Sequence, residues 1–158
     1  MKWFEEQLEV KDGRIMKIGY TNKIASMKSE FQQIDVYQTQ AFGRMLVLDD
    51  VIMVTEFDEA NYHEMIVHVP MTIHPDPRSV LVIGGGDGGT LREVLKHESV
   101  KRADLCEIDP GVVEVSKKHL PGLAESFDDE RVTVFYEDGA AFVKKHKDTY
   151  DLILVDSS

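Results

Sequence analysis

Val80-Leu81-Val82-Ile83-Gly84-Gly85-Gly86-Asp87-Gly88-Gly89 is the stretch from which the fold can be read. Its four apolar residues, Val80 to Ile83, show no polar alternation, which suits a parallel strand buried on both faces. A glycine-rich loop follows, and then Thr90-Leu91-Arg92-Glu93-Val94-Leu95, good helix formers apart from Thr90. Strand, glycine turn and helix form the context in which Gly84, Gly86 and Gly89, spaced Gly-x-Gly-x-x-Gly, mark a nucleotide-type site. Asp87 narrows the ligand. A dinucleotide rests its pyrophosphate on the helix N-terminus, whereas a carboxylate there repels an anion and attracts a cation. The loop therefore suits a nucleoside that carries positive charge, as a sulfonium or an amine. The competing reading of Asp87 is a plain helix cap.

Working outward, His74-Pro75-Asp76-Pro77 marks the clearest boundary, because two prolines exclude helix and interior strand. Beyond it the pattern alternates: strands at 80–83, 103–107, 131–136 and 150–155, and helices at 89–97, 110–118 and 138–146. Such alternation implies right-handed βαβ units, with ligands bound beyond the strand C-termini. Before it, Asp58-Glu59 opens a helix whose apolar face is expected at Tyr62, Met65, Ile66 and Val69, and Pro70 is expected to end or kink that helix. Residues up to about 57 read as short strands, with an Asp12-Gly13 turn and a hairpin bend at Asp49-Asp50. The expected organisation is a β domain over 1–57, a connecting helix and linker over 58–74, and a Rossmann-like nucleoside-binding domain over 75–158. The fold class is α/β: a small antiparallel β domain followed by a truncated, methyltransferase-type parallel sheet. Leu152-Ile153-Leu154-Val155 is apolar on both faces, as a central strand would be. At an edge it would expose an unpaired ladder, so the chain is expected to be the front part of a longer protein.

Four acids stand at the ends of strands or of the glycine loop: Asp87, Glu107, Asp138 and Asp156. Glu107 lies where nucleoside folds hold ribose hydroxyls. Asp109 suits the N-cap of the next helix, and Asp138 suits either an adenine amino group or a cap. His63 and His68 are five residues apart, not four, so they fall about 140° apart around a helix and do not make a zinc pair. No metal site is expected, and His68 reads as structural. The lone Cys106, in an apolar run, reads as packing, not as a nucleophile. A net charge of −11 argues against nucleic acid and anionic membrane as partners. No run is long enough to span a bilayer and the acidic N-terminus does not suit a signal peptide, so a cytoplasmic location is expected.

Together Gly84-Gly85-Gly86-Asp87-Gly88-Gly89, Tyr62-His63-Glu64-Met65, Cys106-Glu107-Ile108-Asp109, Asp138-Gly139 and Asp156-Ser157-Ser158 resemble the signature of the spermidine synthases, the polyamine aminopropyltransferases. The resemblance implies transfer of an aminopropyl group from decarboxylated S-adenosylmethionine, a co-substrate, to a diamine such as putrescine, without a prosthetic group. It implies that Gln32 and Leu48 help hold the thioadenosine, that Glu107 takes the ribose hydroxyls, and that Ile108 packs on adenine while Asp138, beside Gly139, accepts from its amino group. Asp87 would bind the aminopropyl ammonium, Tyr62 and His63 would line the acceptor side, and Asp156 would be the general base. The family forms dimers or tetramers. Asp50 stands where it more often has glycine, and segments beyond Asp156-Ser157 are missing, so this piece is expected to be inactive. The alternatives are an S-adenosylmethionine-dependent amine N-methyltransferase, which Asp87 disfavours because that donor also carries a carboxylate, and a non-catalytic nucleoside-binding or assembly module. An NAD-dependent dehydrogenase fits poorly, for the pyrophosphate reason above.

Overall fold

A computed structural model describes residues 1–8 and 10–157. The chain divides into two compact units, Met1–Glu59 and Ala60–Ser158.

The first unit is an antiparallel meander of β1 (Lys2–Glu5), β2 (Lys17–Lys28), β3 (Gln33–Thr39), β4 (Arg44–Leu48) and β5 (Val51–Thr55), in that spatial order. The bend between β4 and β5 places Asp49 at φ +45° and Asp50 at φ +63°. Two left-handed residues in a row are what a two-residue hairpin of matching twist requires, and aspartate tolerates the region better than most side chains. The Asp12-Gly13 signal does not make a tight hairpin. Gly13 follows a 3-10 turn, Val10–Asp12, inside a longer connection between β1 and β2. Phe4, Ile18, Tyr37, Met45 and Val47 pack together as the core of this unit. Asp35 is buried among them because Lys23 Nζ (2.5 Å), Ser26 Oγ (2.7 Å) and Gln33 Nε2 (2.9 Å) all donate to its carboxylate. Those donors outweigh the desolvation that would push its pKa up, and hold it below the usual carboxylate range.

The second unit is a parallel sheet of β6 (Ser79–Gly84), β7 (Arg102–Glu107), β8 (Val132–Tyr136) and β9 (Leu152–Asp156), ordered β8-β7-β6-β9. Its helices are α1 (Glu59–Ile73), α2 (Gly89–Leu95), α3 (Pro110–His119), α4 (Pro121–Ala124) and α5 (Gly139–Lys145). Val80, Val82, Ala103, Leu105 and Leu154 point to one face, where Val67 and Met71 of α1, Leu91 and Val94 of α2 and Val113 of α3 cover them. Leu81 and Cys106 point to the other, under Phe142 of α5. The apolar runs of the sequence are thus strands buried on both faces, each large side chain contributing about 1.5–3 kcal/mol. Cys106 is packing, as expected, and burial raises its thiol pKa. β8 and β9, at the two edges of the described sheet, are the exceptions: no residue of β8 is buried, and Ile153 and Val155 of β9 are exposed.

The expected face of α1 requires correction. Tyr62, Met65 and Val69 are exposed, and His63, Val67 and Met71 are the buried residues. The helix is apolar on more than one side, so its periodicity alone left two stripes in competition. Of the two outcomes expected at Pro70, an end or a kink, the first does not occur, since α1 continues to Ile73. An interior proline removes one hydrogen bond and costs about 3 kcal/mol. Burial of Val67 and Met71 on either side offsets that, and the Thr72 hydroxyl donates to the carbonyls of His68 (2.8 Å) and Val69 (3.0 Å).

Candidate active site

In a parallel sheet all strand C-termini share one edge, so Asp156 (β9), the glycine loop (β6), Glu107 (β7) and Asp138 (just after β8) follow one another along it. The loop is drawn against β9. Gly84, at φ +77°, is so close to the Asp156 carbonyl that a Cβ would collide with it, and the Gly85 N–H donates to that carbonyl at 2.8 Å. Only glycine satisfies both the left-handed backbone and the close approach.

Four elements then converge. From α1, Tyr62 donates its hydroxyl to Asp156 Oδ1 at 2.9 Å, and the buried His63 sets Nε2 3.5 Å from Asp87 Oδ1. From α2, the Thr90 hydroxyl donates to Asp156 Oδ2 at 2.6 Å. Asp87, in the loop, accepts from the Gly89 N–H at 2.7 Å. Asp87 therefore ties down the first amide of α2, the cap-like role weighed from the sequence, while facing His63. Gly89 is required by the imidazole: the space for a Cβ is filled by Cε1 and Nδ1 of His63.

Ligating atoms of His63, Asp87 and Asp156 lie within 4.8 Å of one another. Two carboxylates and an imidazole at that separation suit a cation, whether an ammonium or a metal ion. Burial, the Asp156 hydrogen bond and the charges of Asp156 and Asp87 push the Tyr62 phenol up to about 12. At neutral pH it is a donor and not a base.

Next along the edge, Glu107 is 7% exposed and accepts from the Asp109 N–H at 2.9 Å. Burial pushes its pKa up, against the pull of amides from Asp109, Ile108 and Gly86. Gly86 lies directly against its carboxylate. Ile108 is exposed beyond the strand end. Asp109 is fully buried and caps α3 through the Gly111 N–H, as expected. Asp138 is exposed and caps α5 through the Ala141 N–H at 2.7 Å, and Gly139 leaves no room for a side chain beside Ile83. Gln32 and Leu48 belong to the first unit. Gln32 lies in the turn before β3, its N–H donating to Ser29 Oγ at 3.0 Å, and Leu48 ends β4.

Thr90 was not among the residues singled out from the sequence, although a threonine directly after a glycine loop, in place of a strong helix former, was its one signal.

Comparison with known proteins gives the family. The profile of the spermine/spermidine synthase domain matches residues 59–158, and that of the spermidine synthase tetramerisation domain matches residues 2–56. The chain belongs to the spermine/spermidine synthase family. A polyamine aminopropyltransferase of Leptospira biflexa serovar Patoc is 55% identical over 156 residues, covering 99% of this chain and 56% of that protein. One from Bacillus mycoides is 49% identical over the same coverage. The chain thus spans little more than half the length of the curated relatives it matches. Among solved structures, spermidine synthase from Thermotoga maritima superposes with a TM-score of 0.96 at 44% identity, over 99% of this chain and 54% of that one. A spermidine synthase in complex with the transition state analogue AdoDATO gives 0.96 at 43%, over 99% and 53%. The expected α/β architecture is therefore the family's own. No helix among the described residues is long and apolar enough to cross a membrane.

Proposed function

We propose that this chain carries the donor-binding edge and the proton-accepting group of a polyamine aminopropyltransferase. The observation that carries the reading is the convergence of Asp87, Asp156, His63 and Tyr62 on one cation-sized space beside the glycine loop. The guest is decarboxylated S-adenosylmethionine. Glu107 takes the two ribose hydroxyls, Ile108 packs on adenine and Asp138 accepts from the adenine amino group. Asp87 holds the aminopropyl ammonium.

The reaction is a single displacement. The neutral amine nitrogen of a diamine such as putrescine attacks the aminopropyl carbon bonded to sulfur. The carbon–sulfur bond breaks, its electron pair returns to sulfur, and methylthioadenosine leaves as a neutral thioether. The proton lost from the amine passes to Asp156. Tyr62 and Thr90 orient that carboxylate, so that removing the proton and aligning the nucleophile act together. Tyr62 and His63 line the acceptor side. The N-terminal sheet assembles copies into dimers or tetramers, as the tetramerisation-domain match supports. A cytoplasmic setting keeps the Cys106 thiol reduced.

Calorimetry on this chain tests the reading. Decarboxylated S-adenosylmethionine should bind more tightly than S-adenosylmethionine, whose extra carboxylate faces Asp87, and Asp87→Asn should erase the preference. Tighter binding of S-adenosylmethionine to the wild type would instead favour methyl transfer and refute the proposal.

A further inference from the structure

A second titratable cluster lies away from the strand edge, where α1 meets the end of α2. His68 Nδ1 is 2.9 Å from His97 Nε2, and His68 Nε2 is 3.2 Å from Glu93 Oε2. The Glu93 carboxylate is fully buried and is matched by Arg92 Nε (2.9 Å) and Lys96 Nζ (2.7 Å) on Oε1. The imidazole rings of His68 and His97 lie 5.1 Å apart, centroid to centroid, and His68 is part-exposed, so protons reach the pair from solvent.

Two facing ring nitrogens 2.9 Å apart have room for one proton between them. With the pair neutral, one of the two facing nitrogens carries the hydrogen and the other accepts it, while His68 Nε2 stands 3.2 Å from Glu93 Oε2. With one proton added, the facing nitrogens still share a single hydrogen, and the charge rests beside the Glu93 carboxylate. With two added, both facing nitrogens carry hydrogen and two cations meet head on. The contact cannot survive that state. We propose that His68 and His97 form a latch between α1 and α2 that holds with no or one added proton and opens when the second arrives.

The groups facing the latch carry both signs. From α1 there is His68, and from α2 there is Glu93 with its partners Arg92 and Lys96. Glu98 and Lys101, in the turn after α2, are exposed, and Arg131 reaches the Leu95 carbonyl with its charge matched by Asp129. Burial and the His68 charge hold His97 below the ordinary histidine range, against the attraction of Glu93. The consequence reaches the strand edge, because α1 also carries Tyr62 and His63 and α2 begins beside Asp87. Acid that opens the latch frees α1 to shift where His63 meets Asp87. This inference does not depend on the proposed reaction.

An NMR titration of the histidine Hε1 resonances from pH 8.5 to 5, with amide exchange measured alongside, tests it. The resonances of His68 and His97 should move together in two coupled steps at least about 1 pH unit apart. Protection of the α1 amides around Val67 should fall about tenfold in the second step, the equivalent of one pK unit. His97→Gln keeps a donor for His68 but takes up no proton, so α1 protection in that variant should stay flat to pH 5. Two independent curves, unchanged α1 protection through the second step, or loss of protection in His97→Gln at the wild-type pH would each overturn the latch.

Discussion

Replacing Gly89 with alanine tests how tightly α1 is keyed into the glycine loop. The added Cβ falls on Cε1 and Nδ1 of His63, a ring only 2% exposed and therefore without space to retreat into. Gly89 lacks the positive φ of Gly84, Gly85 and Gly88, so backbone strain plays no part and the whole effect is steric. Overpacking of this kind costs about 1–3 kcal/mol. Better helix propensity of alanine returns less than about 1 kcal/mol, because the site is the first residue of α2. The net expectation is a loss of about 1–2 kcal/mol, read as a lower urea midpoint at unchanged slope. The deciding measurement is the double-mutant cycle with His63→Ala. Once the ring is gone, Gly89→Ala enters an empty space and should cost nothing or gain a few tenths of a kcal/mol. The coupling energy should therefore reach about 1–3 kcal/mol, as it does for residues in direct contact. Additivity within about 0.5 kcal/mol would refute the claim that the glycine exists to admit the histidine.

Three further outcomes follow from the charges and the turns. Glu93→Gln leaves Arg92, Lys96 and His68 facing a neutral amide and should cost about 2 kcal/mol at pH 7. Because the Glu93 carboxyl is held below 4.5, its contribution is present above that pH and is lost as pH falls through the lower folded value, so acid denaturation curves of the variant should be flatter there. The Tyr62 phenol, by carbon NMR, should titrate at about 12 in the wild type and fall toward 10 in Asp156→Asn. The fold binds that proton more tightly than the unfolded chain, so the stability it contributes is present below pH 10 and declines between 10 and 12. Asp50→Gly should relieve the left-handed strain at φ +63° and raise thermal stability by about 0.5–1 kcal/mol, whereas a neutral or lower melting temperature would mean that the aspartate side chain holds the bend.

Local pattern decided much of this protein. Val80 to Ile83 and Leu152 to Val155 are apolar without alternation, and such runs mark strands of a parallel sheet. Asp49-Asp50 between two apolar strands bends the chain regardless of what surrounds it. The acids at 87, 107, 138 and 156 could be placed along one edge because a parallel sheet brings its strand ends together by construction. What needed the tertiary structure were the choices between equal local options. Helix α1 is apolar on two sides, and only packing against the sheet selects Val67 and Met71 over Met65 and Val69. Asp87 and Asp138 each read either as a cap or as a ligand group, and both hold helix amides in the folded chain. Thr90 meets Asp156 across 66 residues, and His68 meets His97 across 29. Periodicity records which face a residue takes within its own element. It carries nothing about which distant side chain will meet it, because that contact exists only once burial of the intervening apolar surface has closed the loop between them.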